Sequence, residues 1–348
     1  MHIINKSVPE NFIIPTHFID AVKNENLVIF DIETTGLSHQ FTKVILVGII
    51  TYIEGELNLT QILCESEAEE KELLIAILPY FQNNKHYISF NGNAFDIPYL
   101  NSRFKFNNID YQISKHYSFD ILKFVREHKQ ALNLENYKLK TIEAHLGIHR
   151  EDTISGKESV ELYKIYAETG EIPLRDKILL HNYEDILHMI PLLDITKTLG
   201  YQDFINSLPN LININSKLSY GISQVSAKED YATIVLEPVQ FTNNSFYKTF
   251  GTNSLMIYKP NYSILSDSKG FITIRVPIFK INISSSDGPK KLIILDVDLI
   301  DELSCKFNDL SNAQKQTYIL KNNSKMVKMN IARIAIDLIA EYIKVDRI

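Results

Sequence analysis

The stretch LVIFDIETTGL, residues 27–37, decides how the chain folds. Its first four residues are apolar, a short run that reads as a strand, and it ends in Asp31-Ile32-Glu33. Side chains two apart on a strand leave the same face, so Asp31 and Glu33 stand together. Two carboxylates at the end of a strand suit a hard divalent cation, which binds through several oxygens converging on one point. A solvated strand end gives the same Asp-x-Glu pattern, so the rest of the chain has to supply the other ligands. Thr34-Thr35-Gly36 follows as a turn, with Gly36 free to take a positive φ.

Outward from this strand, VILVGIITYI (44–53) is apolar almost throughout and LNLTQILCE (57–65) alternates. Glu54-Gly55-Glu56 between them is short enough to predict an antiparallel hairpin. Residues 65–82 then change to helical spacing behind an acidic first turn. HYISF (86–90) reads as a strand, and helices are predicted over 93–104, 118–130, 139–147, 158–169 and 173–199. Strands followed by alternating helices and strands make an α/β layered domain over residues 27–200, behind an N-terminal extension of residues 1–26. Residues 201–348 have another texture. LININSKLSYGISQ (211–224) is polar and Asn/Ser-rich, strands are predicted at 232–239, 254–260, 271–283 and 291–300, and a helix at 326–344. This is the pattern of a smaller α+β domain.

Two further segments carry acids in settings that call for a reason. SFNGNAFDIPYL (89–100) is a strand, an Asn-Gly-Asn turn and a helix start in which Asp96 lies among Phe95, Ile97 and Tyr99. Helix capping and the dipole give it a bland explanation. HNYEDILHMIPLL (181–193) places His181 one helical turn before Asp185, on the same face. A histidine titrates near neutrality and suits a general base that deprotonates water. The bland alternative is a surface helix with Glu184 and Asp185 in solvent. Each segment alone is a weak signal; their order and placement, at a strand end, a helix start and a late helix, make the set specific.

Composition sets the frame. The net charge is −6, but residues 201–348 hold 17 Lys and Arg against 14 Asp and Glu, whereas residues 1–200 hold 19 against 28. An acidic body does not exclude a nucleic-acid partner, because bound divalent ions reverse the sign locally. Lys315, Lys321, Lys325, Lys328 and Arg333, with Tyr318 among them and no acid between Leu310 and Ile336, read as a backbone-tracking patch or as a solvated helix face. Cys64 and Cys305 have no ligand or disulfide spacing and are expected to be packed thiols. His116, His145, His149 and His188 also lack ligand spacing. No apolar run is long enough to span a bilayer and no signal-peptide core opens the chain, so a cytoplasmic protein without a membrane partner is expected.

With DIETTGL, FNGNAFDIPYL and HNYEDIL as its three motifs, the chain resembles the DEDD (DnaQ-like) superfamily of 3′→5′ exonucleases. Within that superfamily it is most similar to the YprB-type RNase H-like domain, through SFDILKFVREH…LKTIEAHLGI (118–148) and REDTISGKESVELYKIYAETG (150–170). The resemblance covers roughly residues 27–195. It implies an RNase H-like mixed five-stranded sheet flanked by helices, two Mg²⁺ or Mn²⁺ ions, and nucleotide removal from the single-stranded 3′ end of DNA or RNA. Asp31, Glu33, Asp96 and Asp185 then match the four metal-binding acids. One departure stands out: DEDD enzymes place a His five residues or a Tyr four residues before the last Asp, and here His181 is four before it. Tyr183 should point away from Asp185. For substrate contact, Thr34, Thr35 and Gly36 lie beside the metal site, Leu37 and Phe95 are either base wedges or packing residues, and Asn91 and Asn93 are either phosphate ligands or turn residues. The rival readings are a catalytically silent nucleic-acid-binding or scaffold protein that keeps the fold, and an endonuclease on the same fold.

Overall fold

The strand read from residues 27–34 is the centre of a six-stranded mixed sheet. Its strands are β1 (His2–Ser7), β2 (Leu27–Thr34), β3 (Val44–Ile53), β4 (Glu56–Leu63), β5 (His86–Ser89) and β6 (Ser118–Asp120), in the order β1-β4-β3-β2-β5-β6. β2 runs antiparallel to β3 and parallel to β5, and β6 continues the parallel half. The computed structural model describes residues 1–22, 26–84, 86–208, 211–215, 218–240, 254–285, 288–300, 303, 307–323 and 325–342. The chain divides into two compact units, Met1–Pro209 and Asn210–Ile348. The sixth strand comes from the N-terminal extension, where His2–Ser7 pairs antiparallel with β4 and extends the edge of the sheet.

The hairpin between β3 and β4 forms as its sequence predicts. Glu54 and Gly55 both take positive φ, 52° and 92°, the twist that a two-residue connection between right-handed strands requires. β3 is buried from Val44 to Thr51, as its unbroken apolar run demands.

Helices cover both faces: α1 (Thr16–Ala21), α2 (Glu70–Gln82), α3 (Asp96–Phe106), α4 (Ile121–Glu127), α5 (Lys129–Leu132), α6 (Leu139–His145), α7 (Gly156–Thr169), α8 (Ile172–Leu192) and α9 (Ile195–Ser207). The period of two along β2 sorts its side chains. Val28, Phe30 and Ile32 pack with Leu73, Phe81, Leu100 and Phe104 of α2 and α3. Leu27 and Ile29 pack on the other face with Phe124 of α4 and with Ile186, Met189 and Ile190 of α8. Asp31 and Glu33 continue that second face, toward α8. Burying one Leu or Ile on either face contributes about 1.5–3 kcal/mol, so a slip of one residue, which exchanges the faces, is strongly disfavoured.

Three expectations need correction. Residues 118–120 are a strand rather than helix: they are paired to β5 before Asp120 caps α4. The helix expected over 173–199 is two helices. Pro191 lies in the last turn of α8, and Gly200, inside α9, has φ 150° and ψ 95°, outside helical space. Residues 211–224, read as merely polar, give β7 (Leu211–Asn215) and most of β8 (Leu218–Lys228).

In the second unit, β7 and β8 join β9 (Tyr231–Gln240), β10 (Met256–Tyr258), β11 (Ser263–Ser266), β12 (Ile272–Ser285), β13 (Gly288–Leu295), β14 (Ile319–Asn322) and β15 (Lys325–Met326) in one sheet. A helix at Lys328–Ala340 buries Ile331, Ile334, Ala335 and Leu338 in the same core as the sheet. The basic residues noted there do not form one helix face: Lys321 and Lys325 lie on strands, and the Arg333 guanidinium covers the Tyr318 ring at 4.7 Å. Cys64 is buried, its thiol pushed up to about 12 by burial; Cys305 lies outside the described residues. Among the described residues no helix is long and apolar enough to cross a membrane.

Candidate active site

The acids meet where β2 ends. Asp31 and Glu33 come from β2, Asp96 is the first residue of α3, and Asp185 lies in the middle of α8. Asp96 is tied to the strand directly, since its Oδ1 accepts the amide of Ile32 at 3.2 Å. Asp31 is held from the helix side, its Oδ2 accepting Nδ2 of Asn182 at 3.0 Å. Asn182 in turn accepts from Gln61 Nε2 of β4 at 3.0 Å. This close seating of α8 depends on Gly48, the residue paired with Asp31 across the sheet, because a Cβ there would lie 2.2 Å from Asn182 Oδ1.

His181 faces the acids with one nitrogen and a fifth carboxylate with the other. Nδ1 lies 2.7 Å from Asp152 Oδ2, while Nε2 is 3.6 Å from Glu33 Oε1 and 3.9 Å from Asp185 Oδ2. Asp152 is held low, at about 2: burial opposes this, but contacts with His181, Lys140 and the amide of Ile154 outweigh it. An ionised carboxylate only accepts, so Nδ1 carries the ring proton and Nε2 turns its lone pair toward Glu33 and Asp185 in the neutral ring. Glu33, His181 and Asp185 together offer three ligand atoms within 4.8 Å of one another.

Mutual repulsion shows how tightly the acids are gathered. Burial, then Asp96, Asp185 and Glu33, raise Asp31 well above the usual carboxylate range. Glu33 is pushed up to about 7, chiefly by burial and with His181 opposing. Asp96 is pushed up to about 7 by burial, with Asp120 and Asp185 adding to it against backbone hydrogen bonds. Asp185 is raised by burial despite His181 and Arg150. Burial works against a charged His181, but Asp185, Glu33 and Asp152 prevail and its pKa rises. Among the described residues these four acids make ion pairs only with His181 and Arg150. Buried and half-buried carboxylates in excess of the neighbouring cations are the donor set a hard divalent cation requires.

The residues expected near the substrate fall into two groups. Thr34 Oγ1 donates to the Gly36 carbonyl at 2.8 Å, and Thr35 Oγ1 accepts the amide of Lys43 at 3.0 Å. Gly36 is not in the positive-φ region; instead it leaves room for Thr42, whose Cγ2 would lie 2.9 Å from a Cβ. Leu37 is 85% exposed and Phe41, on the same loop, 86% exposed, so packing does not explain either. Phe95 is the packing residue of the pair considered, its ring 5.4 Å from that of Tyr99. Asn91 takes φ 69° and belongs to the turn. Asn93 also sits in the turn, and its Oδ1 is buried with no hydrogen-bond partner among the described residues. Tyr183 turns away from the acids, under the Lys6 ammonium 4.7 Å from its ring.

The motifs do not announce several residues that build this site. Asp120 accepts the amides of Asn91 and Asn93 at 3.0 Å and so fixes the turn before Asp96. Glu184, expected in solvent, is buried and accepts the amides of Glu151 and Asp152, both at 2.8 Å. Arg150 contacts Asp185, Glu143 and Asp152. Buried His188 reaches the same Glu143 at 3.3 Å. Asp120 and Arg150 lie in the segments SFDILKFVREH and REDTISGKESVELYKIYAETG, and Glu184 and His188 in HNYEDILHMIPLL, but nothing in the sequence gives their partners.

Residues 28–196 match the model of the RNase H superfamily, a span that carries all four acids and His181. The six-stranded sheet with its flanking helices is RNase H-like. No curated protein matches the chain. Similar solved structures include the family B DNA polymerase of the hyperthermophilic archaeon Pyrobaculum calidifontis, at 14% identity and a TM-score of 0.42, covering 71% of this chain and 39% of that one. Another is E. coli exonuclease I in complex with a dT13 oligonucleotide, at 12% identity and a TM-score of 0.34, covering 61% of this chain and 55% of that one. The chain thus spans well under two thirds of either.

Proposed function

We propose that the chain is a metal-dependent nuclease that removes nucleotides from the 3′ end of a single strand. The observation that carries this reading is the gathering of four acids from three elements, two buried and two half-buried, in excess of what His181 and Arg150 neutralise. Asp31, Glu33, Asp96 and Asp185 would hold two Mg²⁺ or Mn²⁺ ions, which in such sites activate a water and offset charge on the phosphoryl group. His181 has the orientation for a general base: Asp152 holds its Nδ1, and Nε2 opens on the side of Glu33 and Asp185. Exposed Leu37 and Phe41 offer apolar surface beside Thr34, Thr35 and Gly36 for a terminal base. Asn93 of the second motif, whose side-chain oxygen has no partner among the described residues, is the candidate there for a polar substrate contact once the turn opens.

The test is cleavage of a 5′-labelled single-stranded DNA and its RNA counterpart with Mn²⁺, Mg²⁺ or EDTA, wild type beside Asp31→Ala. A 3′-shortening ladder that requires metal and disappears in the variant is expected. Cutting of a circular strand would replace the end-dependent reading with an endonuclease. Binding without cutting would leave the silent binding protein.

A further inference from the structure

Arg150 joins a structural ion pair to two carboxylates of the candidate site. Its guanidinium faces Glu143 of α6 with two nitrogens, Nε on Oε2 and Nη2 on Oε1 at 2.8 Å. That fork engages two of the five N–H donors, and where the other three go decides what the residue does. The same guanidinium goes further: Nη2 also donates to Asp185 Oδ1, and Nη1 to Asp152 Oδ2 at 3.3 Å. Those two carboxylates belong to the candidate active site, one as a proposed metal ligand and one as the partner of His181.

The backbone around Arg150 is fixed to the same helix. Both oxygens of Glu184 take the amides of Glu151 and Asp152, so the loop that carries Arg150 and Asp152 is clamped to α8, which carries His181 and Asp185. The two oxygens of Asp185 are thereby given separate surroundings. Oδ1 is engaged by Arg150, and Oδ2 points to the space shared with His181 Nε2 and Glu33. Asp152 Oδ2 gathers His181 Nδ1, Lys140 Nζ and Arg150 Nη1, which fixes the ring from behind.

We propose that Arg150 is a positioning residue of the active site, holding Asp185 so that one oxygen serves the metal site and holding His181 through Asp152. This rests on the nuclease reading, but it has a consequence that does not require cleavage. Residues that orient metal ligands from behind typically change metal affinity or activity by about 10–100-fold when removed. Arginine is needed rather than mere charge, because only a planar fork reaches three carboxylates at once.

The experiment measures Mn²⁺ binding to the full chain by the paramagnetic resonance of free ion, and single-strand cleavage in the same samples. Wild type is compared with Arg150→Ala and Arg150→Lys, with guanidinium or an equal ionic strength of sodium chloride added back. Arg150→Ala is expected to weaken Mn²⁺ binding or lower kcat by about 10–100-fold while KM for the strand changes little. Guanidinium, and not sodium, is expected to restore part of the loss, a response that a purely structural role would not give. Arg150→Lys keeps the charge that folding needs and is expected to remain defective; it decides the matter if the alanine variant does not fold. A folded Arg150→Lys protein with wild-type Mn²⁺ affinity and kcat would overturn the proposal. If wild type binds Mn²⁺ but cuts nothing, the nuclease reading fails and Arg150 is judged on affinity alone. If wild type binds no Mn²⁺, both fall.

Discussion

Replacing Gly48 with alanine should damage the site from the neighbouring strand. The new Cβ would lie 2.2 Å from Oδ1, 2.9 Å from Cγ and 3.0 Å from Nδ2 of Asn182, a fully buried side chain. Asn182 has no retreat, because Gln61 holds its carbonyl and Asp31 its amide, both at 3.0 Å. Overpacking of this kind costs about 1–3 kcal/mol. Losing the two buried hydrogen bonds adds about 1 kcal/mol each. Gly48→Ala should therefore lower stability by about 3–5 kcal/mol, read as a fall in urea midpoint at constant m. Asn182→Ala alone should cost only the hydrogen-bond part, about 2 kcal/mol. In the double variant the alanine methyl enters the space that the amide has vacated and the two hydrogen bonds are lost only once, so the double loss should fall short of the summed singles by about 3–5 kcal/mol. Additive losses, or a Gly48→Ala protein with the wild-type midpoint, would show that contact between β3 and α8 at this point does not hold Asp31.

Two further outcomes follow from the same geometry. The metal-free protein should lose stability as pH rises: Glu33 and Asp96, at about 7 in the folded chain and about 4 when unfolded, bind more protons in the folded state across that interval. Their contribution is thus fully favourable below about pH 4 and is lost as pH climbs through about 7, by about 4 kcal/mol for a shift of about three units; thermal melts from pH 5 to 8 in EDTA should show the fall, and Mn²⁺ should remove most of it. Asp152→Asn should cut kcat by about 10²-fold or more, because an amide facing Nδ1 no longer selects the tautomer whose Nε2 lone pair faces Glu33 and Asp185; an unchanged kcat in single-turnover cleavage would exclude His181 as the base.

Much of the sheet is legible because its periods are clean. β3 is apolar at nearly every position and is buried on both faces, and Glu54-Gly55 can only be a tight turn. Where the reading fails, two signals overlap. Residues 211–224 look polar by composition, yet Ile212, Ile214, Leu218, Tyr220 and Ile222 recur at alternate positions and are buried in the second core, with Asn and Ser on the other side. β6 is three residues long, too short to show a period, and the helix behind it absorbs its apolar residues into a helical pattern. β1 gains its place by pairing with β4, a partner more than fifty residues away, which no local pattern reveals.

The acids and the residues that hold them differ in legibility for a physical reason. A carboxylate proposed here as a metal ligand sits where local structure alone explains it poorly, as Asp96 does among aromatic and apolar residues, so it stands out in one dimension. Arg150, Asp152 and Glu184 look like ordinary surface charge, and their roles depend on where a loop meets α8. His181 is the case that joins both kinds. Its spacing from Asp185 marks it as a candidate, but its direction is set by Asp152, twenty-nine residues earlier, and Asp152 is set by the Glu184 clamp next to Asp185 itself. The helix therefore carries both the histidine and the residue that aims it, while the aiming runs through a loop. An engineered His five residues before Asp185 would leave the clamp and Asp152 in place but move the ring about 100° around α8, away from its partner. The four-residue spacing is thus a property of the whole assembly of loop, clamp and helix.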